Sequence, residues 1–176
     1  MERKLPRSFY KRDVLEVAPE LIGKVIERTW PSGEARKYII TETEAYRGAE
    51  DEACHATKGI TPRTRVMFRE GGILYMYLIY GMHWMLNVVT STEGDPQAVL
   101  IRGLKEVYGP GRLTKKLDLD GSFNEEDLFL SERISLYDVG ILPEFTTHPR
   151  IGIDYAGEKW RMMPWRYLAI EKSLKI

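Results

Sequence analysis

The chain has 176 residues, enough for one domain with a real core. An apolar content of 43% beside 30% charged residues excludes a disordered chain, and no apolar run reaches the length of a transmembrane helix. The balance of 26 basic and 26 acidic residues argues against a nucleic-acid binder driven by bulk charge, leaving local basic clusters such as Arg63/Arg65 and Lys115-Lys116 to meet such a partner.

In chain order, residues 13–21 (DVLEVAPEL) predict a short helix, with Asp13 as N-cap and Gly23 just past its end. Residues 24–29 predict a strand that turns at Pro31-Ser32-Gly33, and residues 36–46 a second strand. A polar loop runs over 49–65. Gly71-Gly72 then opens an aromatic, β-branched strand at 73–79, Gly81 marks a turn, and the chain returns as a strand over 82–91. Another strand follows the Asp95-Pro96 turn at 97–107, and Gly109-Pro110-Gly111 precedes a short helix at 112–117. Ser122 with Glu125 matches a capping box for a helical turn near 125–130. The tail carries strand-like pieces at 150–153 and 165–170. Many sequential strands with few helices between them predict an antiparallel-rich α+β class in a single domain spanning 1–176.

Several chemistries are disfavoured. No GxGxxG or Walker-type loop is present, so no nucleotide cofactor is expected. His55, His83 and His148 are scattered, and no HExxH or CxxC pairing accompanies Asp51, Glu52, Cys54 and His55, so a metal-free protein is expected. Cys54 stands alone, which excludes an internal disulfide and suits a reducing cytosol; a Cys54–His55 nucleophile pair lacks an orienting third residue. The charged N-terminus has no apolar stretch behind it, so no secretory signal is expected and a cytoplasmic location is. Asn87, Asn124 and Gln97 are the only amides, a thermophile-like balance among so many charges.

Two features could carry chemistry. On a strand, Glu42, Glu44 and Tyr46 share one face, and burial or a like-charged neighbour would raise a glutamate pKa toward values useful for proton transfer. Spacing alone favours a solvated, ion-paired face for the two acids. The second feature is LYMYLIYGMHW, which puts Tyr75 and Tyr77 on one strand face and Tyr80 beside Gly81 at a hairpin tip. An aromatic at such a tip could wedge open a DNA stack, and Tyr46 with Tyr77 could sandwich an extruded base. Packing in a tyrosine-rich core is the more frequent use of such residues.

Thr43-Glu44-Ala45-Tyr46, Glu50-Asp51-Glu52-Ala53-Cys54-His55, Thr61-Pro62-Arg63 and Leu74-Tyr75-Met76-Tyr77-Leu78-Ile79-Tyr80-Gly81-Met82 together resemble the alkyladenine (3-methyladenine) DNA glycosylase family. Asn87 and Val99-Leu100-Ile101-Arg102 continue the likeness, with weaker blocks at Gly109-Pro110-Gly111-Arg112-Leu113, Ser122-Phe123 and Arg150-Ile151-Gly152-Ile153. The blocks run in order over nearly the whole chain. Two places depart from the pattern: His83 replaces a tyrosine, and residues 56–60 lack the expected arginines.

The resemblance implies a curved, antiparallel-rich sheet with short flanking helices and a protruding β-hairpin, needing no metal or other cofactor. It implies Glu44 as the base that activates water and Arg102 as the group that helps hold that water. Tyr46, His55 and Tyr77 would wall the pocket for a flipped base, Asn87 would form its floor, and Tyr80 would intercalate where the nucleotide left. The implied partner is damaged double-stranded DNA, with no membrane, no obligate protein partner and a monomeric enzyme. Its product would be an abasic site, formed without a strand-cleaving lyase step. The alternatives are a catalytically silent DNA-binding module of the same fold and a hydrolase of free nucleosides.

Overall fold

The computed structural model describes residues 2–174. Its strands are β1 (Arg3–Lys4), β2 (Val25–Thr29), β3 (Ala35–Arg47), β4 (Leu74–Ile79), β5 (His83–Thr90), β6 (Gln97–Leu104), β7 (Val107–Tyr108), β8 (Ile134–Asp138), β9 (Phe145–His148) and β10 (Arg166–Ala169). Four short helices accompany them: α1 (Arg7–Tyr10), α2 (Val14–Glu20), α3 (Pro110–Lys116) and α4 (Glu158–Met162). Every strand pairing is antiparallel. The open sheet runs β1-β8-β2-β3-β6-β5-β4, with β10 joining β3 to β9 and β7 folding back on β6. The α+β, sheet-dominated class expected from the strand pattern is the class observed. No helix among the described residues is long and apolar enough to cross a membrane.

The 13-residue β3 organises the sheet. One edge pairs first with β2, through Val25↔Ile39, and then with β10, through Glu42↔Leu168 and Glu44↔Arg166. The other edge pairs with β6 across a register irregularity around Glu42. Gly103 lies opposite that irregularity, where a Cβ would stand 3.0 Å from the Glu42 Cβ and 3.1 Å from the Thr41 hydroxyl. A side chain there would push on both neighbours, so glycine suits the close approach.

Strict alternation then divides two faces. Thr43 and Ala45 on β3, Val99 and Ile101 on β6, Leu86 and Val88 on β5, and Leu74 and Met76 on β4 turn to one side and are buried. Most of them pack in the main core with Val14, Val17, Ala18 and Leu21 around α2, whose spacing is one helical stripe. Asp13 caps that helix by accepting from the Leu15 N–H at 2.9 Å, and the Thr43 hydroxyl donates to the Ala18 carbonyl at 2.8 Å. The alternate positions face the other way and build the cavity described below.

Three expectations are corrected. The expected capping box of Ser122 and Glu125 does not form: Asp120 caps a 3-10 turn at Gly121–Phe123, Glu125 sits at φ 69 with its carboxylate on Arg65 and Arg69, and the turn within 125–130 is a single one capped by Asp127 and closed by the Ser131 N–H on the Asp127 carbonyl at 2.8 Å. A left-handed Glu125 blocks the helix that the capping box would have started. Residues 151–152 are bends, with 150 and 153 irregular, instead of strand, and Gly152 has φ 77; besides β3, the strand that pairs with β10 is β9, just before them. The strand expected over 97–107 stops at Leu104, turns at Glu106 with φ 68 and returns as β7. The polar loop over 49–65 contains one 3-10 turn, His55–Lys58, and the start of a second, Thr64–Phe68.

Candidate active site

A cavity of about 490 Å³ opens on the sheet face opposite the main core. Period-two positions supply its sheet side: Tyr46 from β3, Tyr75 and Tyr77 from β4, Met85 and Asn87 from β5, and Ala98, Leu100 and Arg102 from β6. The loop after β3 adds His55 and Arg63, and the segment after β9 adds Ile151 and Tyr155. Tyr80, at the tip of the β4–β5 hairpin, stands at the rim.

Glu44 forms a layer just behind this wall. Its side chain is fully buried, at 0% exposure, and it is not itself a lining residue. Three neighbours that do line the cavity hold it. The Ile151 N–H donates to Oε1 at 2.8 Å, the Tyr46 hydroxyl donates to Oε2 at 2.8 Å, and Arg102 Nε lies 3.5 Å from Oε1. Burial pushes the Glu44 pKa up, and Glu42 adds to this; Arg102, Ile151 and Tyr46 oppose it. The solvated face that spacing alone favoured for the acid pair is not what forms. Glu42 is largely buried between Arg102 at 3.2 Å and Arg166 at 3.0 Å, so ion pairing is present but not on a solvated face. Arg102 therefore bridges both carboxylates, with the shorter contact to Glu42.

The aromatic wall is a contact network. The His55 ring lies 4.7 Å from that of Tyr77, Tyr75 lies 5.3 Å from Tyr77, and His55 Nδ1 is 3.0 Å from the Tyr75 hydroxyl. Burial, reinforced by Arg63 and Lys58, pulls the His55 pKa down to about 4, so the ring is neutral at neutral pH. Burial likewise pushes the Tyr46 and Tyr77 hydroxyls up, keeping both protonated. Asn87 is buried, with Nδ2 donating to the Tyr75 carbonyl at 3.1 Å and the Met85 carbonyl at 3.3 Å. The Cys54 thiol is buried and pushed up to about 12, so it is not a nucleophilic thiolate at neutral pH.

The hairpin presents Tyr80 to solvent at 89% exposure, flanked by exposed Leu78 and Met82. Tyr80 and Gly81 both have positive φ, 50 and 66, and the Met82 N–H closes the turn on the Ile79 carbonyl at 3.1 Å. A tyrosine in the left-handed region is strained, a cost that local packing alone does not explain for an exposed side chain. Helix α3 braces the hairpin base. The Thr114 hydroxyl donates to the Trp84 carbonyl at 2.9 Å, and Gly111 lets the helix close on His83, where a Cβ would stand 3.1 Å away.

The structure thus gathers Tyr46, His55, Tyr77, Asn87, Arg102 and Tyr80 around one cavity, with Glu44 immediately behind it. Sequence reasoning missed three contributors. The Ile151 N–H is a backbone donor without a side-chain signature. Arg63 places its guanidinium 5.0 Å over the Tyr77 ring, and Arg150 does the same to Tyr46 at 4.8 Å. Both arginines lie in blocks that carried the family resemblance, which was the available signal. Among the described residues, no group of three or more His, Cys, Asp and Glu side chains could hold a metal ion.

The chain matches the methylpurine-DNA glycosylase family over residues 8–109 and 105–173. A protein of Wolbachia pipientis subsp. Culex pipiens (strain wPip), provisionally named a 3-methyladenine DNA glycosylase, is 47% identical over 170 residues, covering 93% of this chain and 88% of the relative. Similarly named proteins from Sodalis glossinidius and Methanocella arvoryzae are 47% identical over 165 residues and 41% identical over 183. They cover 89% and 93% of this chain, and 94% and 90% of their own length. With the family matched along nearly the whole chain, this protein belongs to the methylpurine-DNA glycosylases.

Proposed function

We propose that this protein is a DNA-repair glycosylase that flips alkylated purines of the 3-methyladenine type out of duplex DNA and hydrolyses the N-glycosidic bond with water activated by Glu44. The observation that carries the reading is a buried carboxylate hydrogen-bonded to Tyr46 and Ile151, both of which line a tyrosine-rich cavity beneath an exposed aromatic hairpin tip. The extruded base enters among Tyr46, His55 and Tyr77, and stacking there contributes about 1–3 kcal/mol. Asn87 on the floor crowds the exocyclic amino group of an undamaged guanine. Tyr80 fills the gap left in the helix.

Alkylation at N3 or N7 makes the purine cationic, so it leaves as a neutral base when the bond electrons pass to the ring. Water adds to the anomeric carbon and gives its proton to Glu44, whose negative charge also stabilises the developing sugar cation. Arg102, 3.5 Å from Glu44, helps hold that water. No lysine lines the cavity among the described residues, which supports a monofunctional enzyme without the amine chemistry of a lyase step. The proposed partner is damaged double-stranded DNA, bound by a monomer.

The Glu44 side chain is fully buried behind Tyr46, Arg102 and Ile151, so the attacking water must enter between these residues to meet a free lone pair of the carboxylate. That enclosure is also what a DNA-binding module without activity would present. Glu44→Gln separates the two in a base-release assay on methylated duplex. Loss of about 10²- to 10⁴-fold in rate with DNA binding retained supports the mechanism, whereas excision at the unaltered rate rejects it. No release by the parent protein identifies the silent module.

A further inference from the structure

Asp51, Glu52 and Ala53 lock onto a segment about a hundred residues later. Asp51 accepts from both terminal nitrogens of Arg150 at 2.5 and 2.8 Å, Glu52 accepts from the Gly157 N–H at 2.8 Å, and the Ala53 carbonyl accepts from the Tyr155 hydroxyl at 2.8 Å. Ala53, Ile153, Ala156 and Trp160 form a small apolar cluster with them. Asp51 and Arg150 are both at 0% side-chain exposure. A buried ion pair is a weak way to gain stability, because the desolvation of two charges offsets most of their attraction. Its location is more informative.

Arg150 donates to the Ala45 carbonyl at 2.9 Å and packs over the rings of Tyr46 and Trp165 at 4.8 and 5.1 Å. The next residue, Ile151, gives its N–H to Glu44, and Tyr46 gives Glu44 its hydroxyl. Both direct hydrogen bonds to the carboxylate therefore depend on where one guanidinium sits. We propose that the buried Asp51–Arg150 pair is the positioning device of the active site, fixing the Ile151 N–H and the Tyr46 ring that together aim the Glu44 carboxylate. The inference rests on the reading of Glu44 as the catalytic base, and it gives Asp51 and Arg150 a role in the reaction without contact with the DNA.

The ionised form of Glu44 is the form these donors favour, so a slipped 149–153 segment withdraws a donor and raises the pKa further. The groups facing Glu44 are Arg102 from β6, Tyr46 and Glu42 from its own strand, Tyr77 from β4, Arg150 and Tyr155 from the later segment, and Arg166 from β10 through Glu42. Arg150→Lys keeps the positive charge and loses the two-pronged grip, so its effect reads geometry instead of net charge.

The test measures single-turnover base release from methylated duplex against pH, together with affinity for a duplex carrying a non-cleavable abasic analogue. For Arg150→Lys and Asp51→Asn we expect the rate to fall about 10²-fold, as for a catalytic group misplaced by an ångström. The acid limb should move to higher pH, and affinity should change less than about tenfold. The double variant Asp51→Leu/Arg150→Met replaces the pair by apolar groups and decides the matter if a single variant does not fold. It should unfold near the parent midpoint and be equally slow. A folded variant with parental rate, or a slow one with an unmoved acid limb, overturns the positioning role. Glu44→Gln run alongside keeps the two ideas apart. Full activity there removes the reading beneath this one, whereas an inactive Glu44→Gln beside unaffected pair variants removes this one alone.

Discussion

Burial raises the Glu44 pKa above its ordinary 4.5 and lowers that of His55 from 6.5 to about 4, and the two shifts have opposite consequences for pH. The proposed base works only when ionised, so under that reading excision should fall as pH drops through a limb lying above the ordinary carboxylate value. His55 contributes no second limb between pH 5 and 8. The two shifts also act on stability with opposite dependence on pH. Folded Glu44 holds its proton more tightly than unfolded Glu44, so its burial costs nothing below pH 4.5 and costs stability as pH rises through its raised pKa. Glu44→Gln should therefore unfold at higher denaturant than the parent at pH 7, with the difference disappearing near pH 4. Folded His55 resists protonation, so its contribution is intact above pH 6.5 and is lost as pH falls toward 4. A denaturation series with His55→Gln, flatter across that interval than the parent, checks the second sign. At this scale the sequence was informative where spacing suffices: residues two apart on a strand share a face, which brought Glu42, Glu44 and Tyr46 together. It was silent on Asp51 and Arg150, 99 positions apart, because no periodicity reports which residue lies across a fold.

The β4–β5 hairpin is the element in which stability and function pull apart. Tyr80 occupies the left-handed region with its ring in solvent, so its conformation is a cost of about 1–3 kcal/mol with little packing to offset it. Asparagine tolerates that conformation. Tyr80→Asn should raise the unfolding free energy by about 1 kcal/mol. It should also slow base release and weaken binding to lesion-containing duplex, by about 1–3 kcal/mol in total if an aromatic stack is lost. Equal losses of stability and activity would mean that Tyr80 is a packing residue. The hairpin could be read from the chain because alternation, aromatic content and a glycine at the tip agree. The capping box of Ser122 and Glu125 shows the opposite case: Asp120 took the cap, and two arginines from the loop after β3 took Glu125. The Ser122 signal there lost to the Asp120 cap and to the left-handed backbone at Glu125.

For the molecule as a whole, the antiparallel class could be read from strand count and turn signals, while the strand order could not. The β8 strand between β1 and β2, and the pairing of β10 with β3 at Glu42–Glu44 with β9 on its far edge, are long-range pairings of short segments with weak patterns of their own. Zero net charge likewise gave no hint of the cavity, which Arg63 and Arg102 line and behind whose Tyr46 Arg150 is buried. The feature with the widest consequence is β3, hydrogen-bonded along both edges to β2, β10 and β6. Local opening cannot release a strand held on both sides, so its amides exchange with solvent only when most of the sheet comes apart. In deuterated buffer, Thr43 to Ala45 should be among the slowest to label, and the Tyr80 turn among the fastest. The carboxylate proposed to activate water thus rides on the last part of the protein to loosen, while the side chain proposed to enter DNA rides on the first.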